Sequence, residues 1–392
     1  MNSLQVLLEK EWVCKSDDRD LYYAIRQDVP SLQKFVAEYP GWRLVVNERL
    51  IRLEKVPAHA QSFMGIKEFT DIRDYEMFCV LLIFLEEQEE GDPFLLSDLT
   101  DRIQAQLKPW LQIDWTIFSN RRSLIRVMQY AEKISLVILH EGNLDSVSGS
   151  TRFEVLYENT GLSRYFALSY PYDTSACKTA QDFETLAAED VNLDRGRMRV
   201  NRVYRQLLLS PAMYWRTADD PDALYLRNQR RFVSGYLKEA VGARLDVHRN
   251  AAFLVFQEDA SSFGREFPDM STLSEIVLLV CAWLRREISI VETDGTTLIS
   301  RQDFQQVVQD IRKQYGGAWS KEYREMDCSL LVSRLVSCMQ GWMMACVEGE
   351  SIRFYPAVWK FVGTYPEDAR TQLLPPESAK KKRNEVKQTA LF

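Results

Sequence analysis

The sequence predicts a mainly helical α+β fold, written twice. Three observations predict it. The phrase Glu-x-x-Gly-x-Arg-Leu-x-Val occurs as "EYPGWRLVV" at 38–46 and as "EAVGARLDV" at 239–247. Each phrase is followed by a nearly all-apolar helical stretch, at 69–90 and 267–287. Each of these leads into two more helical stretches and then a candidate wing. The offset is 201 residues between the phrases and 198 between Phe69-x-Asp71-Ile72 and Phe267-x-Asp269-Met270. Self-similarity at one long period is a sign of architecture. The alternative is two unrelated segments that share common residue types.

The elements follow in order. An opening helical region runs to about Tyr39 and stops at Pro40-Gly41, since glycine takes the left-handed turn beyond a helix without strain. "WRLVV" and "RLIRLEKV" flank Asn47-Glu48 and read as a hairpin. Asp71 or Asp74 caps the helix of 69–90, whose apolar middle calls for burial on most sides. Gly91-Asp92-Pro93 breaks it. Stretches 94–107 and 116–133 are the second and third helices, and 135–143 with 152–158 are strands. The second copy repeats the plan: a helix over 222–240 ended by Gly242, a hairpin over 243–257, helices at 267–287, 300–314 and 329–347, and a strand-bearing segment at 351–361. Three helices closed by a β-hairpin is the order of a winged helix domain. The expected fold is therefore tandem winged helix domains, each preceded by a helix plus β-hairpin element. The expected segments are 1–68 (helix and hairpin), 69–166 (first winged helix), 167–266 (acidic linker, Arg-rich helix, second helix and hairpin), 267–365 (second winged helix) and 366–392 (basic tail).

Bulk properties narrow the function classes. Hydrophobic residues make up 46% of 392 and charged residues 27%, the balance of a globular chain with a sizeable core. The longest apolar runs, 80–85 and 276–284, fall far short of the ~20 residues of a membrane span. The N-terminus has no basic region followed by a cleavage site, so no secretory signal is expected. Seven cysteines without CxxC spacing point to reduced thiols in a cytosol. The three histidines have no metal-ligand spacing. A net charge of −7 argues against a uniformly basic nucleic-acid binder but leaves room for a local basic patch.

Catalytic signatures are missing. There is no GxxxxGK[ST], no GxGxxG after a strand, no GxSxG and no HExxH. The cluster Glu86, Glu87, Glu89, Glu90 reads as a solvated helix end. No catalytic residue, metal or cofactor is expected.

Arginine carries the binding signal. Arg195, Arg197, Arg199, Arg202 and Arg205 fall within eleven residues that contain no acid. A guanidinium fork takes two phosphate oxygens at once, so one reading is a DNA-backbone track. The other is a helix paired with the acidic segment 182–194 or an acidic partner. The second signal is "SNRRSLIR" at 119–126. At the start of a third helix, Arg121, Arg122 and Arg126 would face a groove; the plain alternative is a capped helix with surface arginines. The matching region of the second copy, "EMDCSLLVSR", is poor in base and reads as a protein-docking surface. The tail "PPESAKKKRNEVKQTALF" is too polar to pack. Its end, with Gln388, Leu391 and Phe392, has the form Gln-x-x-Leu-Phe and is similar to peptides that dock on the bacterial sliding clamp. A plain basic end is the alternative.

"GWRLVVNERLIRLEKVP", "LSPAMYW" before "LRNQRRFVSGYLKEAVGARLDV", and "IRFYPAVWKF" resemble the MukE-like subunit of type II Wadjet systems, condensin-like SMC complexes that restrict plasmids. The resemblance spans about 30–362. It implies a non-catalytic tandem winged helix ("kite") subunit that forms a homodimer and binds a kleisin. Its further partners would be an SMC ATPase, a Toprim-type nuclease subunit and double-stranded DNA, in the cytoplasm at the nucleoid. It carries over no site residue. A stand-alone winged helix transcription regulator is the competing reading, and an enzyme with a scattered site is a third.

Overall fold

A computed structural model describes residues 2–144, 155–167, 175–179, 182–183, 195–256, 266–289 and 291–365. The fold is α+β and mainly helical, with four three-stranded antiparallel sheets among the described residues. The expected acidic linker lies largely outside that set, and the whole tail, with Gln388, Leu391 and Phe392, lies outside it.

The first half opens with α1 (Ser3–Glu9), β1 (Val13–Cys14) and α2 (Arg19–Glu38). The hairpin β2 (Arg43–Val46) and β3 (Leu50–Glu54) follows. Then come α3 (Ile72–Glu86), β4 (Pro93–Leu95), α4 (Leu96–Leu107), α5 (Phe118–Lys133), β5 (Val137–Glu141) and β6 (Leu156–Asn159). The second half runs α6 (Arg195–Leu209), β7 (Met213–Tyr214), α7 (Pro221–Asn228), α8 (Arg230–Val241), β8 (Ala243–Val247) and β9 (Ala251–Phe256). It continues with α9 (Thr272–Glu287), β10 (Thr297–Ser300), α10 (Arg301–Tyr315), α11 (Lys321–Glu325), α12 (Cys328–Gly341), β11 (Ala345–Glu348) and β12 (Ser351–Phe354).

The repeat is deeper than the sequence phrase. The sheet orders are β1-β3-β2 and β7-β9-β8, then β4-β6-β5 and β10-β12-β11. The central strand, β3, β6, β9 or β12, is the last in sequence in each of the four sheets and pairs on both sides. Strands β1, β4, β7 and β10 have too few residues to show alternation, so sequence periodicity missed them. Both hairpins turn on two residues. Asn47 N–H donates to Leu50 O at 3.1 Å, and His248 N–H to Ala251 O at 2.8 Å. The first turn is thus Glu48-Arg49, one residue beyond the expected Asn47-Glu48. Asn47 Oδ1 accepts from the backbone N–H of Arg49 and of Leu50, which fixes that register.

Caps set the helix starts. Asp71 accepts from Arg73 N–H while Asp74 reaches back to Asp71 N–H, a capping box for α3. Its counterpart on α9 is Ser271, not the expected Asp269, so the true offset there is 200. The stretch 222–240 is two helices, because the chain turns at Gln229. The helix expected over 329–347 ends at Gly341, where Met343 takes a positive φ and β11 begins. Helix α3 is not covered on all sides: Met77, Phe78, Val80, Leu81 and Leu85 are buried, but Ile72 is 75% exposed.

Contacts group the chain into two compact units, both discontinuous. One holds 1–9, 38–41 and 193–392; the other holds 10–37 and 42–192. A linear partition of the sequence does not reveal this interleaving. Each unit has its own apolar core. In the second of them Met77, Leu81, Leu99, Ile103, Leu124 and Met128 converge from α3, α4 and α5. In the first, Ile276, Val280, Phe304, Val308, Leu335 and Phe354 do so from α9, α10, α12 and β12.

Candidate nucleic-acid and partner interface

Helix α5 begins with an aromatic side chain between two guanidinium groups. Phe118 is 53% exposed, and the Arg121 and Arg122 carbons lie 5.9 and 5.8 Å from its ring centre. Arg121 also donates to the carbonyls of Trp115 at 2.6 Å and Thr116 at 2.7 Å, so it braces the loop that enters the helix. Arg122 is exposed and is the one of the three expected arginines whose fork is turned to no described acid or carbonyl.

Arg126 has a different role from the one expected. Its Nε and Nη2 donate to the two oxygens of Asp74 at 2.9 and 2.8 Å, and Nη2 also meets Ser123 Oγ at 3.0 Å. Asp74 is fully buried. Burial raises its pKa, but Arg126, Ser123 and the N–H groups of Thr70 and Asp71 more than offset this, and the net shift is downward. A fork closed on a buried carboxylate is unavailable to a phosphate.

The Arg-rich helix is also partly committed. Arg202 holds Asp222 with two bonds of 2.5 Å. Arg205 donates to Pro40 O at 2.6 Å and Gly41 O at 3.3 Å. Arg199 is half-buried. Arg197 is exposed, and the side chain of Arg195 lies outside the described set. Among the described residues the acid that answers this helix is Asp222, at the start of α7, while the expected partner segment 182–194 lies almost wholly outside them. Asp222 stands some twenty residues beyond the arginines, where local charge counting does not look.

The second copy replaces charge with apolar surface. Among the described residues Ser135 and Met343 are the two non-glycine residues with positive φ, 60° and 54°, each just past the helix that precedes the last two strands of its half, so the offset here is 343 − 135 = 208. At that offset Arg121, Arg122 and Arg126 correspond to Ser329, Leu330 and Arg334. Leu330 is 48% exposed. Arg334 pairs with Glu322 of α11 at 2.5 Å, because the position of Asp74 is held by Ser274.

Sequence reading also missed a cationic cleft in the first half, lined by Lys15, Arg19 and Arg49. Its members are about thirty residues apart in sequence, and Asp17, Asp18 and Asp20 hide the first two in a near-neutral stretch. Among the described residues no group of three or more His, Cys, Asp or Glu is placed to hold a metal, and no helix is long and apolar enough to cross a membrane.

The two halves thus define a duplicated α+β protein whose third helices carry different surfaces. Residues 4–364 match the family described as "Protein of unknown function (DUF2398)", and the chain belongs to it. No curated protein and no solved structure gives a match.

Proposed function

We propose that the chain is a non-catalytic, tandem winged helix subunit of a bacterial SMC complex that binds a kleisin, contacts DNA and supports defence against plasmids. One observation carries the reading. From α3 and from α9 both halves run helix, strand, helix, helix, strand, strand, with the short α11 inserted in the second and the last strand central in each sheet. That is the element order of a winged helix, present twice, as a kite-type adaptor requires. The exposed Arg122 at the start of α5 supports DNA contact by the first half. The exposed Leu330 at the same place in the second half supports protein docking there. The SMC ATPase and a Toprim-type nuclease subunit would be assembly partners, and the chain would act as a homodimer at the nucleoid. The Gln388-to-Phe392 end would dock on a sliding clamp.

Co-purification of the full chain with its operon neighbours tests the core of this reading. Capture of a coiled-coil ATPase and a kleisin is the expected outcome. A chain that purifies alone and protects a single operator sequence would be a transcription regulator instead. Replacing Arg122 and Arg197 by Glu should weaken duplex binding by the assembled complex and lower its salt dependence. For the tail, calorimetry of a peptide ending in "QTALF" against the clamp decides; no heat of binding removes that partner.

A further inference from the structure

An open cleft of about 490 Å³ lies between the start of α2 and the hairpin turn of β2 and β3. It is lined by Cys14, Lys15, Ser16, Arg19, Glu48, Arg49 and Leu162. Three cations thus face one carboxylate. The local acids are used elsewhere. Asp18 Oδ1 accepts from Leu21 N–H and so caps α2. Asp17 accepts from the hydroxyls of Ser16 and Ser135. Asp20 is exposed at the start of α2 and does not line the cleft.

Arg49 is paired, whereas Lys15 and Arg19 are held by an aromatic ring. Backbone Lys15 N–H donates to Arg49 O at 2.8 Å, which ties the β1 exit to the hairpin turn. Arg49 is anchored by Glu90 at 2.7 Å and Thr160 O at 2.6 Å. Lys15 Nζ and the Arg19 guanidinium lie 5.4 and 5.8 Å from the ring centre of Tyr23. Neither makes an ion pair with a described carboxylate. Tyr23 is packed edge-on to the buried Tyr22 at 5.3 Å. The Tyr23 hydroxyl is pulled below its ordinary pKa, first by its hydrogen bond with Lys15 and then by the charge of Lys15, which agrees with a positive local field.

We infer that this cleft is a phosphate-binding site, with Lys15 and Arg19 as the phosphate ligands and Arg49 as a fixed supporting charge. A lysine and an arginine that both line the cleft and both lie within 6 Å of one ring offer a point charge and a planar fork to an anion. The phosphate has two sources, the backbone of duplex DNA or a free nucleotide. The first rests on the DNA contact proposed above, and the second does not.

The test uses the full chain with Lys15→Gln/Arg19→Gln, and a second variant, Arg122→Glu, outside the cleft. Fluorescence anisotropy with a 30-base-pair duplex and calorimetry with pyrophosphate are the two readouts, and thermal unfolding confirms that each variant folds. If DNA is the source, the cleft variant binds duplex at least tenfold more weakly, and its log K against log salt slope falls by about 1.8, two phosphate contacts. If a nucleotide is the source, pyrophosphate binds the unaltered chain and not the cleft variant, whatever duplex does. Loss of duplex binding in Arg122→Glu alone, with the cleft variant unchanged in both readouts, overturns the site while leaving the DNA-binding reading standing. Equal binding of both probes by the cleft variant and the unaltered chain also overturns it. If the double variant does not fold, the single variants Lys15→Gln and Arg19→Gln are used, and unchanged affinity for both probes in both of them overturns the site.

Discussion

Gly41 and Gly242 stand at matching points of the two copies, and both have a backbone φ of +65°. Their surroundings differ. A Cβ on Gly41 would lie 2.5 Å from Asn201 Nδ2, inside a buried contact, whereas the nearest atom at Gly242 is Gln5 Nε2 at 4.0 Å. Alanine at 242 should therefore lose only the left-handed strain, about 1 kcal/mol. Alanine at 41 should lose about twice that or more, since the Asn201 amide must move as well. Adding Asn201→Ala to Gly41→Ala should recover the clash but not the strain. Urea unfolding of the four chains measures this, and equal losses at 41 and 242 would refute it.

Met343 tests the second shared turn. Its φ of 54° suits glycine and disfavours a β-branched residue. Met343→Val should be less stable than Met343→Gly by about 1–2 kcal/mol. The comparison of these two variants, and not of either with the natural residue, removes most of the effect of deleting the Met side chain. A valine variant as stable as the glycine one would mean that the turn relaxes.

Arg126 and Arg334 are counterparts with unequal duties. Arg126→Met strands a buried carboxylate and should cost about 3 kcal/mol. Arg334→Met opens a surface pair and should leave stability nearly unchanged. The pH sign follows from Asp74, whose folded pKa lies below its unfolded value. Its stabilising contribution is complete above the ordinary carboxylate pKa of about 3.9 and disappears as pH falls through the folded value. Asp71 acts in the same direction: its hydrogen bonds with Arg73, side chain first and backbone second, hold it at about 2. Acid titration followed by circular dichroism should show loss of helix between roughly pH 4 and pH 2 that Asp74→Asn shifts to higher pH. A midpoint unmoved in that variant would count against the pair.

The Arg-rich helix divides into structural and exposed members. Arg202→Met should lower the melting temperature and leave the salt slope of DNA binding intact. Arg197→Glu should do the reverse. If both variants change the same observable, the division into roles is wrong.

Much of the fold could be read from periodicity. The helices α3, α4, α5, α9 and α10 are long enough to show their apolar spacing, and Gly41 and Gly242 announce their turns. The four short strands could not be read, because two to four residues carry no alternation. The split of 222–240 depends on a single non-helical residue, Gln229, in a sequence with good helical spacing on both sides. The candidate site was less legible. Arg126 looks the same as Arg122 in sequence, and only the third dimension brings Asp74 to one and solvent to the other. Lys15, Arg19 and Arg49 meet because a hairpin turn returns to the exit of β1, a contact that local charge counting averages away.

The N-terminal helix has a consequence for synthesis. Gln5 Nε2 donates to Val241 O at 2.7 Å and Asn2 Nδ2 to Ala240 O at 2.8 Å, closing the C-terminal end of α8. Leu4 and Leu7 of the same helix are buried. On a ribosome, α1 emerges more than two hundred residues before the helix end it caps. It must wait through the whole translation of the first half, and the later unit completes its fold only by recovering a segment made more than two hundred residues earlier.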